Sequence, residues 1–316
     1  MEHKTRASIR PGIRNRTGRH ANEHRHERAK HAFPNRRASQ RQSALDTMPL
    51  NENRYARIME SSIFPPWGLF RASLREDFRL ILPRLIHLTF RTCKRIPKSL
   101  FMPQGAFRDR YVFETFERWA KKACRLCQIR LDIRGRENID PVQTYLFVSN
   151  HMSPFDIPAI YAALPAKAAF VANAVLSHIP IFSYWMKLSG AVFVEQKNHT
   201  AEMASFRAMI KRLRKGRSLI LFPEGHIYQG SGVDNFKRGG IHAALFAGTP
   251  IIPVCLFGTQ NVIFPGSLRA TPRKRVVVEF GHPLEPSTLS REQRKNIDSI
   301  LHDTLDAMKR RIAAEA

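Results

Sequence analysis

A histidine and an aspartate stand five positions apart where an apolar segment gives way to a polar turn. His151 follows the apolar residues 145–148. Asp156 lies just beyond Ser153 and Pro154, two residues typical of the start of a helix. If the chain turns back at Ser153, the imidazole of His151 comes within hydrogen-bonding distance of the Asp156 carboxylate. Such a contact fixes the tautomer of the ring and raises the basicity of its other nitrogen, as a general base requires.

The same residues also have a simpler interpretation. Ser153 and Asp156 would then only cap a helix, and His151 would be an ordinary loop histidine. The choice depends on whether the rest of the chain supplies groups that such a base could serve.

A second carboxylate is presented at the end of another apolar segment. Pro223 stops the hydrogen bonding of a strand and Gly225 permits a tight turn with positive φ, so Glu224 is expected at the strand tip. Further on, Lys237 and Arg238 precede a pair of glycines at the predicted start of a helix, where cations and free N–H groups suit an anion.

A third candidate begins at Gly190, continues through Phe193 and ends at Gln196. The side chain of Gln196 can donate a hydrogen bond but has no charge with which to hold an anion. Lys197 is the adjacent cation, although neighbouring side chains on a strand point to opposite faces. Taken alone, the segment is also consistent with an ordinary buried strand.

Four segments resemble, in the same order, the sequence boxes of the glycerolipid acyltransferase family, which comprises the lysophosphatidic acid acyltransferases and their relatives. The matching segments are Asn150-His151 with Asp156 for the NHxxxxD box, residues 190–196 for the second box, Phe222-Pro223-Glu224-Gly225 for the third and Ile252-Pro253-Val254 for the fourth. The resemblance extends over about residues 100–285 and implies the fold of that family.

The resemblance also implies a catalytic pair and an acceptor pocket. His151 would be the base and Asp156 would orient it. The residues implied to bind the substrates are Asn150, Gly190, Phe193, Gln196, Glu224, Gly225, Lys237 and Arg238.

Two cations typical of the family are absent. Gln196 stands where the second box usually has a phosphate-binding arginine, and His226-Ile227 stands where common members continue the third box with Thr-Arg or Thr-Ser. We therefore expect that Lys237 or Arg238 compensates, or that the acceptor has no terminal phosphate.

The implied reaction is transfer of a fatty acyl group from acyl-CoA or acyl carrier protein to the hydroxyl of a lysophospholipid, most simply 1-acyl-sn-glycerol-3-phosphate. A different lysolipid or a lyso-aminolipid is the alternative acceptor. The reaction needs a base and oxyanion donors but no metal and no cofactor. No Gly-x-Ser-x-Gly segment supplies a serine nucleophile and Cys255 lies in an apolar strand, so the hydroxyl is expected to attack directly.

The charge of the chain predicts an anionic partner. Lys and Arg total 52 against 26 Asp and Glu, which gives a net charge of +26. Anionic membranes and nucleic acids both satisfy this, but we find no helix-turn-helix, zinc-finger or RNP signature, and we predict no nucleic-acid partner. A catalytically idle membrane scaffold would not need His151 and Asp156 intact. The cysteine pair Cys124-x-x-Cys127 has no second pair at zinc spacing.

Composition and periodicity divide the chain into three parts. Residues 1–47 are polar and basic, and we predict a disordered tail; a transit peptide, or a start codon assigned too early with Met48 or Met59 as the true start, are alternatives. Residues 48–128 contain two basic, aromatic helical stretches that are too charged to span a bilayer. They predict a peripheral or monotopic association with the cytoplasmic face of a membrane, although packing on the protein's own core explains the same pattern.

Residues 129–316 alternate strands with helices and form the predicted acyltransferase domain. This alternation predicts an α/β fold with a mixed, largely parallel sheet flanked by helices, preceded by the amphipathic helical pair. Binding sites in such folds collect at the carboxyl ends of the strands, where His151 is expected.

Overall fold

The structure is a computed structural model that describes residues 76–95, 98–99, 101–103, 105–178, 182–195, 199–237, 239–263 and 271–315. The predicted tail, residues 1–47, lies outside the described residues. So do Gln196, Lys197 and Arg238.

Seven strands form one sheet in the order β1-β7-β6-β2-β5-β3-β4. The strands are β1 (Arg130–Arg134), β2 (Leu146–Ser149), β3 (Ala168–Asn173), β4 (Val192–Val194), β5 (Ser218–Leu221), β6 (Ile251–Phe257) and β7 (Arg275–Phe280). All neighbouring pairs are parallel except β6 and β7. The predicted mixed, largely parallel sheet is therefore confirmed.

Eight α-helices accompany the sheet within the described residues. They are α1 (Glu76–Cys93), α2 (Ala106–Leu126), α3 (Asp156–Ala163), α4 (Phe182–Ser189), α5 (His199–Arg214), α6 (His242–Ala247), α7 (Arg291–Lys295) and α8 (Ile297–Ala314). Side chains of α2, α3 and α4 share one buried apolar cluster with the sheet, and side chains of α5, α6 and α8 share the other. The central strands β2, β5 and β6 are buried almost throughout, as expected for strands covered on both faces.

The helices α1 and α2 form an antiparallel pair. Trp119 Nε1 donates to Thr89 Oγ1 over 3.4 Å, and the Tyr111 hydroxyl donates to the Arg95 carbonyl oxygen over 3.5 Å. The pair is attached to the domain through α2, where the Phe116 ring stacks on Tyr161 of α3 at 5.1 Å. The helix α1 continues through Pro83. Among the described helices, none combines the length and the apolar character needed to cross a bilayer.

The start of α3 differs from the prediction. A turn precedes the helix, in which Ser153 Oγ accepts from the Phe155 N–H over 3.2 Å, and the helix itself begins at Asp156. Asp156 is therefore the first residue of the helix and not the third, because residues 154 and 155 form this turn.

Candidate active site

Two adjacent strands bring the predicted base and the predicted acceptor carboxylate to one edge of the sheet. In the parallel pair β2 and β5, Val148 lies opposite Leu221. His151 and Glu224 are each the third residue after these positions, so they leave the carboxyl edge side by side. The His151 N–H donates to Glu224 Oε1 over 3.1 Å, and the Tyr228 N–H donates to the His151 carbonyl oxygen over 2.8 Å.

The predicted contact between His151 and Asp156 is present. His151 Nδ1 lies 2.6 Å from Asp156 Oδ2, and this buried oxygen also accepts from the N–H groups of Met152 at 2.7 Å and Ser153 at 2.9 Å. Because Oδ2 can only accept, Nδ1 carries the proton in this contact. The lone pair of a neutral ring is then on Nε2, which is the nitrogen left for a substrate hydroxyl.

A partly buried aromatic wall holds the imidazole in place. The ring of Phe222 stacks on His151 with centroids 4.2 Å apart, and the ring of Phe170 stacks on Phe222 at 5.6 Å. The His151 side chain remains 18% exposed, whereas Asp156 is fully buried. The base is thus accessible and its orienting group is not.

Glu224 is buried, and burial raises the pKa of its carboxyl group to about 8, against the opposing effects of the His151 N–H and the charge of Lys309. At neutral pH the group is therefore largely protonated. Its Oε1 accepts from His151, and its Oε2 has no partner among the described residues. A neutral Glu224 adds no negative charge at this edge of the sheet.

Lys237 is brought to the same turn. Its N–H donates to the Pro223 carbonyl oxygen over 2.8 Å. Gly225 has a φ of +72°, and a Cβ there would come within 2.7 Å of Lys237 Nζ. Gly225 is needed both for the turn and for the space that the lysine side chain occupies.

The amide of Asn150 has a different environment from the one predicted. Its Nδ2 donates to the Leu256 carbonyl oxygen over 3.0 Å, and its Oδ1 accepts from the Leu256 N–H over 2.8 Å. The residue is 1% exposed. Asn150 therefore continues the pairing of β2 with β6 and is not placed to bind substrate.

Gly190 lies two residues before β4, at the end of the helix that precedes this strand. Its φ of +85° and the hydrogen bond from its N–H to the Lys187 carbonyl oxygen end the helix α4. The guanidinium of Arg212 occupies the space that a Cβ at Gly190 would need. A role of Gly190 in substrate binding remains a prediction. Phe193, in the middle of β4, packs against the same cluster as Phe222.

Sequence reasoning missed the partners of His226. Its Nε2 lies 3.0 Å from Asp234 Oδ2 and its Nδ1 lies 3.0 Å from the Glu224 carbonyl oxygen. Both contacts are with acceptors, so His226 ties the third box to the following loop. His226 and Asp234 are eight positions apart in the sequence, and no helical or strand spacing would have indicated the pair.

The chain matches the family described as Acyltransferase over residues 130–257, a range that includes His151, Asp156 and Glu224. It is 30% identical to the 1-acyl-sn-glycerol-3-phosphate acyltransferase of Borreliella burgdorferi over 186 residues, which is 57% of this chain and 72% of that protein. It is 26% identical over 197 residues to the enzyme of the same name from Haemophilus influenzae, covering 62% of this chain and 80% of that one.

A solved structure has the same fold. The 1-acyl-sn-glycerophosphate (LPA) acyltransferase PlsC of Thermotoga maritima superposes with a TM-score of 0.66 at 24% identity, covering 75% of this chain and 97% of that one. Fold and site together define an α/β enzyme with a histidine–aspartate pair at the carboxyl edge of its sheet. The chain belongs to the glycerolipid acyltransferase family and is an O-acyltransferase.

Proposed function

We propose that this protein transfers a fatty acyl group to the free hydroxyl of 1-acyl-sn-glycerol-3-phosphate and so forms phosphatidic acid. The observation that carries the proposal is the position of His151, whose Nδ1 is committed to Asp156 at 2.6 Å while its Nε2 is left for a hydroxyl. The relatives named above act on this acceptor, which supports the same choice here.

In the reaction, His151 Nε2 takes the proton of the acceptor hydroxyl while the oxygen attacks the thioester carbonyl carbon. The new carbon–oxygen bond forms, the carbon–sulfur bond breaks, and the leaving thiolate receives the proton from Nε2. Asp156 holds the ring and stabilises the imidazolium formed midway. The donor is acyl-CoA or acyl carrier protein, and no cofactor is required.

The acceptor is held at the turn formed by Glu224 and Gly225. The ammonium of Lys237 at this turn supplies a cation for the phosphate in place of the family's arginine. Glu224, protonated at neutral pH, adds no repulsion. The predicted contributions of Gln196 and Arg238 remain predictions, since both lie outside the described residues.

The helical pair α1–α2 provides the contact with an anionic membrane surface. A cavity of about 630 Å³ between the helices is lined by the cationic side chains Arg84, Arg91 and Arg95 on one side and Arg118, Lys122 and Arg125 on the other. Phe90 of α1, Phe107 of α2 and Phe101 between the two helices are also exposed, at 59%, 70% and 89%. Cations together with exposed aromatic groups are typical of interfacial helices, and this supports a peripheral or monotopic protein on the cytoplasmic face.

The acceptor assignment is tested with purified protein, labelled acyl-CoA and a panel of lysolipids. We expect the highest kcat/KM on 1-acyl-sn-glycerol-3-phosphate. Lys237→Ala should raise the KM for this acceptor by roughly tenfold to a hundredfold, because a charge-assisted hydrogen bond is lost. The exposed Lys215 gives the matched control, Lys215→Ala, which should leave it unchanged.

Two outcomes would contradict the assignment. The acceptor is a different lysolipid if the wild type prefers one without a terminal phosphate, and Gln196→Arg should then impair its use. The phosphate is held by other groups if the wild type uses lysophosphatidate efficiently and neither Lys237→Ala nor Arg238→Ala changes its KM.

A further inference from the structure

The segment between β5 and α6, residues 222–241, carries the acceptor groups but has no helix or strand among its described residues. Glu224 and Gly225 stand at its beginning and Lys237 near its end. A segment of this length needs fixed points elsewhere if its two ends are to face the same substrate. His226 and Asp234 provide one such contact within the segment.

The helix α8 provides the others. Three of its side chains, separated by four and three positions and hence on one face, contact residues 230–233 of the segment. Asp306 Oδ1 accepts from the Val233 N–H over 3.1 Å, and His302 Nε2 lies 3.1 Å from the Val233 carbonyl oxygen. Lys309 Nζ donates to the carbonyl oxygens of Gly230, over 3.0 Å, and Gly232.

Of these three side chains, Lys309 is the most important for holding the segment. It is only 2% exposed, and a buried ammonium is costly unless its hydrogens find acceptors. Its acceptors here are peptide carbonyls of the segment, so Lys309 and the segment order each other. Its charge also opposes the effect of burial on the pKa of Glu224.

Gly232 shows how close the contact is. A Cβ at this position would lie 2.8 Å from Asp306 Oδ1, so the helix side chain occupies the space beside the glycine. The packing leaves no room for the segment to slide along α8 without breaking the hydrogen bonds of Lys309 and Asp306.

We propose that Lys309 is a positioning residue for acceptor binding, which acts by fixing residues 230–233 and thereby aligning Lys237 with Glu224. The inference rests on the proposed role of this segment in holding the acceptor. The inference gives α8, which lies outside the four family boxes, a role in the affinity for the acceptor.

The test is two-substrate steady-state kinetics on full-length Lys309→Met, with Lys295→Met, an exposed lysine of α7, as the control. We expect the acceptor KM of Lys309→Met to rise roughly tenfold to a hundredfold while the donor KM stays within about twofold. The control should match the wild type. A purely structural role would instead lower the active fraction and leave both KM values unchanged.

Gly232→Ala provides a second variant, which disturbs the contact from the segment and leaves the lysine in place. Gly232→Ala should also raise the acceptor KM. If Lys309→Met does not fold, the acceptor KM of Gly232→Ala tests the proposal. The proposal is overturned if the folded variants keep the acceptor KM within about twofold of the wild type. A wild type that uses a lysolipid other than lysophosphatidate would refute only the acceptor assignment, because the same comparison is then made with that lysolipid.

Discussion

The two ring nitrogens of His151 have separate tasks. Nδ1 is held by a buried carboxylate oxygen that two backbone N–H groups also orient, so the ring cannot turn without breaking the hydrogen bond to Asp156. Nε2 is left on the exposed side of the ring, where a hydroxyl can reach it. This division lets one histidine be rigid and available at the same time.

Replacing His151 by alanine should lower kcat by about a hundredfold to ten-thousandfold, because general-base help is lost. Asp156→Asn should be nearly as damaging, since an amide can still accept from Met152 and Ser153 but does not stabilise an imidazolium. Steady-state kinetics on purified protein checks both. The exposed His178 gives a control variant, His178→Ala, that should behave as wild type. Activity of folded His151→Ala within a few-fold of wild type would rule out the mechanism.

The raised pKa of Glu224 makes stability depend on pH. With a pKa of about 8 when folded and an ordinary value of 4.5 when unfolded, the native protein keeps a proton that the unfolded chain releases between these values. The free energy of unfolding should therefore fall as the pH rises from about 5 to 8, by the linkage between proton binding and folding.

Denaturant unfolding of wild type and Glu224→Gln at pH 5 and pH 8 measures this dependence. The glutamine variant should lose part of the pH dependence, whereas Glu292→Gln, at an exposed position, should retain it. Equal pH dependence in wild type and Glu224→Gln would show that Glu224 keeps the same protonation state in the folded and unfolded chains.

For individual residues, the sequence predicted the His151–Asp156 contact well, because both residues lie in one short turn. It did not indicate the contacts that Asn150 and Gly190 make. Whether the amide of Asn150 meets a substrate or the peptide of Leu256 depends on which strand becomes the neighbour of β2, and 106 positions separate the two residues. Local spacing contains no such information.

The strands were easier to predict than the first turns of the helices. β6 follows a continuous apolar run, Ile251–Phe257, because a strand buried on both faces has a continuous apolar sequence. The start of α3 was two residues off, because Pro154 and Phe155 form a turn that resembles a first helical turn in sequence. Ser290 forms a capping box at the start of α7, and a break at Asn296 separates α7 from α8.

The pair α1–α2 should bind vesicles through its cations. Replacing Arg91, Arg95 and Arg118 together by glutamine should reduce binding to vesicles that contain phosphatidylglycerol, and the wild type should release from them as salt rises, because the attraction is screened. The control variant replaces Lys211, Lys215 and Lys295, three exposed lysines outside the helical pair, by glutamine. Co-sedimentation measures binding. Equal partitioning of the wild type onto neutral and anionic vesicles would contradict an electrostatic mode.

The net positive charge of the whole molecule is larger than the catalytic site alone requires. The net charge of +26 is spread over a tail, a helical pair and a domain, and only the last contains the residues that form the site. The overall class of fold followed from the alternation of strands and helices, but the order of the strands did not, since it depends on contacts between residues far apart in the chain.

Removing residues 1–47 should change kcat and both KM values by less than about twofold, because the groups assigned to chemistry lie between residues 150 and 309 and surface changes away from such groups have small effects. The same assay in detergent micelles and on anionic vesicles separates catalysis from surface attraction. A strong loss of activity in micelles would give the tail a catalytic part that the described residues do not explain.

The hydrogen bonds of Asn150 also bear on how the enzyme ages. Spontaneous deamidation begins when the peptide nitrogen of the next residue attacks the side-chain amide carbon. Here the amide is fixed on both sides by Leu256, and the nitrogen that would attack, that of His151, donates to Glu224. Neither partner can rotate into the geometry of attack while the strands remain paired. The peptide that carries the proposed base is thus held in a geometry that disfavours this damage while the protein stays folded.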